Sequence, residues 1–74
     1  MSVARVTEIS STSTESFEDA IESGVKRATE TLRNVRSAWV KEQQIKIEAN
    51  NIVEYQVNMM VTFVLDEGDQ KDIA

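Results

Sequence analysis

Cysteine and histidine are both missing from this 74-residue chain, and aromatic rings are few: two phenylalanines, one tyrosine, one tryptophan. Without cysteine there is no disulfide and no thiolate metal site, and cysteine usage gives no reading of redox compartment. Without histidine the chain lacks the usual general base near neutral pH and the commonest transition-metal ligand. No apolar run approaches the roughly 20 residues that span a bilayer. The opening stretch "MSVARVTEIS" lacks the long apolar segment of a secretory signal. Positive charge is also short, with 13 acidic against 8 basic residues and a net charge of −5. A protein that coats nucleic acid shows the opposite sign. The expectation is one small soluble, cytoplasmic domain with neither nucleic acid nor membrane as a partner.

A domain this short buries a small share of its surface. With disulfides and thiolate metal sites excluded, association with further copies of itself is the remaining source of firm stability.

What is present is pattern. "SVARVTEIS" is rich in β-branched residues, lacks Gly and Pro, and reads as a strand, although Val3, Val6 and Ile9 do not share one parity. In "STSTESFEDAIESGVKRATETLRNV" the period changes. Phe17, Ala20, Ile21, Gly24, Val25, Ala28, Leu32 and Val35 recur at steps of three and four, which predicts an amphipathic helix. Thr12 with Glu15 fits a capping box, with Ser13 as the alternative cap. Glu15, Glu18 and Asp19 come early and Lys26, Arg27 and Arg33 late, as the helix dipole favours. Arg33 and Arg36 read as charges at the helix C-terminus. Gly24 on the apolar stripe predicts a close approach of helix to sheet rather than a hinge, since a helical glycine costs roughly 1 kcal/mol against alanine.

Two more strands follow, "SAWVKEQQIKIEA" and "IVEYQVNMMVTFVLDE", with Asn50-Asn51 placed for a tight hairpin. In the last strand every odd position from Val53 to Leu65 is apolar or aromatic, so one face is buried. Tyr55 and Met59 fall on that face. The middle strand contradicts itself, because Val40 and Ile45 both belong in the core yet have opposite parity. One extra unpaired residue between 41 and 44 resolves the conflict, since a β-bulge switches the phase. Ala38 and Val40 then face the helix. Ser37, Trp39 and Lys41 face away, and Trp39 shares the outer surface with Gln56, Asn58, Met60 and Thr62.

An indole on an uncovered sheet face invites two coverings. One is a second subunit, since tryptophan is common in interface cores. The other is a planar aromatic ligand stacked on the ring, its polar edge met by an amide.

Taken together, the β-α-β-β order with "STSTESFEDAIESGVKRA", "VKEQQIKI" and "EYQVNMMVTFVLDE" resembles the dodecins over residues 3 to 67. The resemblance implies an α+β fold, a three-stranded antiparallel sheet wrapped around one helix. It also implies a hollow homododecamer, a domain over residues 1–67 and a disordered tail over 68–74. In flavin-binding members, paired isoalloxazine rings lie between tryptophans at twofold interfaces, and a glutamine on the last strand bonds the polar edge. Their inferred role is storage and photoprotective quenching, without turnover. Gln56 in "EYQV" stands where the family has its glutamine. In the ungapped alignment through Gln56 the family's aromatic falls on Ser37, and Trp39 lies two residues later on the same face, about 6.5 to 7 Å along the strand. The cofactor-binding candidates are therefore Trp39, Gln56 and Ser37, and the cofactor is FMN or riboflavin.

The alternative is a cage without flavin, in which Trp39 anchors an interface and carboxylates such as Glu42, Glu48, Glu54 and Asp66 hold cations. Catalysis is not expected: the chain has no phosphate loop and no nucleophile elbow, and its Ser and Thr residues gather where a helix start needs caps. Glu8, Glu42 or Glu54 would each lack a partner as a base.

Overall fold

A computed structural model describes residues 3–65, arranged as β1 (Ala4–Ser13), α1 (Phe17–Thr31), β2 (Val35–Glu48) and β3 (Asn51–Val64). The expected tail over 68–74 lies outside the described residues. The strands form one antiparallel sheet in the order β1-β3-β2. From Tyr55 onward the odd positions of β3 lie on the helix side as the alternation predicts, and Val57, Met59 and Val61 are fully buried. Ala20 and Ala28 complete the buried apolar core, with Ile9, Phe17, Ile21 and Val25 packed around its centre. On β1, Ile9 opposes Met59 and faces inward, whereas Val6 opposes Thr62 and faces outward. That split is why the apolar residues of β1 do not share one parity.

The helix begins later than the capping-box reading places it. Ser16 is the N-cap, and its hydroxyl accepts from the Asp19 amide at 3.0 Å. Thr12 belongs to β1 and pairs with Gln56. Ser13 braces the turn instead, accepting from the Glu15 amide at 2.9 Å and donating to the Asp19 carboxylate at 2.7 Å. The helix also ends earlier. Leu32 is extended and donates its amide to the Ala28 carbonyl at 2.8 Å, and Asn34 turns the chain with φ of 62°. Val35 therefore opens β2, and Arg33 and Arg36 lie past the last helical turn, which holds no basic residue.

The hairpin is displaced by one residue from Asn50-Asn51. Ala49 (φ 51°) and Asn50 (φ 66°) make the turn, and Asn51 already pairs with Glu48. Positive φ at both central residues is the signature of a type I′ turn, whose twist matches that of the strands it joins.

The predicted bulge is present, with Lys41 as the extra residue: Val40 pairs with Met59 and Glu42 with Asn58. Further register shifts fall between Val35 and Ser37 and between Lys46 and Ile47. Bulges strengthen local twist, which lets the sheet curl around its helix.

A helix of 15 residues spans about 22 Å and a strand of 14 about 46 Å, so the β2–β3 hairpin outreaches its cover. The longest axis is 58 Å. Past the helix, Ile45, Ile47, Ile52 and Val53 stay exposed, Ile47 to 59%. A single protomer cannot bury this arm.

Candidate functional site

The face of the sheet away from α1 carries the polar chemistry of the chain. Residues directly opposite in an antiparallel pair share a face. Trp39 opposes Met60 and Ser37 opposes Thr62, so both lie on the outer face, while Ala38 and Val40, opposite Val61 and Met59, lie on the helix side. The Trp39 indole is 52% exposed and is not sealed under α1. Trp39 also borders an open groove of about 370 Å³ between α1 and β2, whose lining includes Val25, Ala28, Val40 and Val61. The groove exists because every residue of β2 after Val35 is exposed, on the helix side as well as outside.

Two cross-strand rows lie further along the outer face. Ser10, Asn58 and Glu42 form one, and Thr12, Gln56 and Gln44 the next. Their side chains are joined. The Gln56 side-chain amide donates to the Ser10 hydroxyl at 3.0 Å and to Asn58 Oδ1 at 3.2 Å. Asn58 Nδ2 donates to Glu42 Oε1 at 2.9 Å. Beside them Lys41 reaches over β3 to Glu8, with Nζ 3.3 Å from Oε1. Both ends of that ion pair are exposed, so it contributes about 0–1 kcal/mol and mainly orients the lysine stem.

Ser37 and Trp39 are near neighbours on this face, and Gln56 is not beside them. Gln56 lies four residues from Met60, the partner of Trp39, which is about 13 Å along the strand. Asn58 was expected on this face, where it shares the parity of Gln56 along β3, and Glu42 was expected only as a cation ligand or an unpartnered base. Ser10 went unread, because the face it takes depends on the register between β1 and β3. Glu42 reaches this face only because Lys41 is an extra residue. The aromatic residues of the helix side do core work: Tyr55 meets Phe17 edge to face at a centroid distance of 5.1 Å.

The dodecin family profile matches residues 3–66. The chain belongs to the dodecin family. Among solved structures it is similar to the dodecin from Streptomyces davaonensis, with 38% identity and a TM-score of 0.84, covering 88% of this chain and 96% of that one. An arginine-to-alanine variant of the T. thermophilus dodecin gives 36% identity and a TM-score of 0.84, with coverage of 89% and 98%. A third dodecin structure, from Mycobacterium tuberculosis, is described as a calcium-chelating immunodominant antigen with a novel calcium-binding site. It is 31% identical with a TM-score of 0.74, covering 82% of this chain and 87% of that one. A search of curated protein sequences returned no match.

Against that family background the donor set fits a planar ring with a polar edge. The indole offers a flat exposed surface and Gln56 an amide on the same face. Among the described residues no three His, Cys, Asp or Glu side chains gather to hold a metal ion, and Asp66 lies outside them. Among them, too, no helix is long and apolar enough to cross a membrane.

Proposed function

We propose that this dodecin is a flavin-binding homododecamer that stores FMN or riboflavin and quenches its excited state, with no reaction catalysed. The observation that carries the reading is the half-exposed Trp39 indole on the outer sheet face, in line with hydrogen-bonded amides. Stacking on an electron-rich indole supplies both affinity and a route for quenching. Gln56 meets the polar edge of the ring. Ser37, at the family's aromatic position, leaves room beside Trp39 and offers a hydroxyl. Assembly is supported by the uncovered hairpin arm and by the long exposed edge of β2, surfaces that a lone protomer leaves open to unwanted pairing. The domain is taken as residues 1–67, with 68–74 as a tail, and the cytoplasm as its compartment.

The test is a light-scattering mass with an absorbance spectrum and a fluorescence titration. Twelve copies of an 8.3 kDa chain give about 100 kDa. Wild type should quench added riboflavin or FMN, and Trp39→Ala should abolish quenching at unchanged mass. Quenching that survives the substitution would remove Trp39 from the site.

A second reading has its own support in Ser37: where flavin-binding members carry an aromatic ring, this chain has a hydroxyl. On that reading the cage holds no flavin, Trp39 packs between protomers, and carboxylates brought together by assembly hold cations. Protein that leaves flavin fluorescence untouched, with Trp39 emission shifted on dissociation, would select it.

A further inference from the structure

We infer that Glu42 and Asn58 are positioning residues that fix which end of the Gln56 side chain faces a ligand, and that the end presented is the carbonyl oxygen. For the ligand's identity the inference rests on the flavin reading above; for the direction of the amide it rests on the protein alone.

A side-chain amide has a donor end and an acceptor end of almost the same shape, so its direction must be set by neighbours. A carboxylate only accepts. Glu42 takes a hydrogen bond from Asn58 at 2.9 Å, which obliges Asn58 to turn its NH₂ toward β2. Its carbonyl oxygen then points along β3, where only a donor satisfies it, and the Gln56 NH₂ fills that place at 3.2 Å. The second hydrogen on the same nitrogen goes to Ser10 at 3.0 Å. Serine accepts or donates with equal ease, so Ser10 follows the arrangement rather than dictating it. The polarity originates at the one member that has no choice, Glu42. A chain of this kind strengthens each bond in it, and the charge at its end strengthens the first.

Both donors of Gln56 are thereby used, and Oε1 remains. A group that meets Gln56 must bring an N–H or O–H of its own. On the pyrimidine edge of an isoalloxazine that group is the imide N–H between two carbonyls. The bulge at Lys41 is what makes this possible. Were Lys41 paired in the ladder instead of standing out of it, Lys41 would face Asn58 and Glu42 would point to the helix side.

Two measurements test the assignment. In a neutron structure of deuterium-exchanged, ligand-free protein, the Gln56 deuterons should point at Ser10 Oγ and Asn58 Oδ1. In Glu42→Gln, where residue 42 is able to donate, the relay loses its fixed direction and the Gln56 amide should be mixed or reversed. Deuterons of wild-type Gln56 aimed into solvent would overturn the inference. In fluorescence titrations, wild type should prefer riboflavin over its N3-methyl derivative by roughly tenfold, and Glu42→Gln should bring the two within about threefold. An unchanged preference in Glu42→Gln would also overturn it. If wild type binds neither flavin while the deuterons lie as described, the flavin reading falls and the relay stands.

Discussion

The terminal methyl of Met59 occupies the space in which a side chain on residue 24 would begin: a Cβ built on Gly24 falls 2.6 Å from Met59 Cε and 3.0 Å from Ser11 Cβ. Ala20, Gly24 and Ala28 line the buried stripe of α1 at intervals of four, and small residues there let the helix lie low on the sheet. The closeness is fixed from a second side by the Ser11 hydroxyl, which donates to the Ala20 carbonyl at 2.7 Å.

Gly24→Ala therefore sets two effects against each other. Alanine is the better helix former by roughly 1 kcal/mol. Met59 is flexible enough to swing aside, but Ser11 Cβ is tied to the β1 backbone and moves only with the strand. Overpacking of this kind costs about 1–3 kcal/mol. The net change should be a loss of stability, read as a lower denaturation midpoint at fixed protein concentration. An unchanged or higher midpoint would show that the helix has room to lift.

The hairpin turn offers the opposite sign. Ala49 holds φ of 51°, a region where a Cβ costs an L-residue about 1–2 kcal/mol. Ala49→Gly removes that strain and gives back part of the gain as unfolded-state entropy. The expected outcome is a stabilisation of about 0.5–1 kcal/mol, measured by the same denaturation. Ala49→Val should lower stability, because branching at Cβ worsens the same clash.

Much of the fold was legible because its signals are periodic. The period of two in β3 and the steps of three and four in α1 survive into the structure almost unchanged. Parity conflict between Val40 and Ile45 located a bulge, and with it the outer placement of Trp39. What was misread involves single residues near element ends. Ser13 and Ser16 are chemically alike, and only the extended backbone at Ser16 decides which one caps. The Asn50-Asn51 pair drew the turn one place too far, since nothing about Ala49 advertises positive φ. The side-chain relay to Glu42 was out of reach for another reason: it depends on which residue of the bulge is the extra one, and the phase conflict only bounds that.

Deleting Lys41 should expose how much rests on the bulge. Val40 would then lead directly to Glu42, with Val40 still opposite Met59 and Glu42 still opposite Asn58, so the ladder becomes regular and Trp39, Gln43 and Ile45 keep their faces. What is lost is the local twist of the bulge and the exposed Lys41–Glu8 ion pair, itself worth about 0–1 kcal/mol. The deletion variant should fold and stay soluble, with any change in assembly, as read by light scattering, coming from the flatter sheet, whereas Lys41→Ala keeps the bulge and should assemble normally. A deletion variant that fails to fold would show that the protomer itself needs the twist at the bulge.

Ser37 and Trp39 give the sharpest test of where a ring would sit. They lie on the same face two residues apart, so moving the indole from one to the other shifts the stacking surface by about 6.5 to 7 Å without changing its direction. In a Trp39→Ala background, Ser37→Trp places an aromatic at the position where the dodecin resemblance would put one. If flavin is held through the site that other dodecins employ, the double variant should recover quenching and bind roughly tenfold or more tighter than Trp39→Ala alone, since base-sized aromatic stacking is worth about 1–3 kcal/mol. Should Trp39 serve instead as an interface anchor, the double variant will gain no affinity and the assembly will dissociate at higher protein concentration than wild type. Titration and light scattering on the same sample separate these outcomes, because a restored ligand site changes fluorescence at constant mass and a lost anchor changes mass at constant fluorescence.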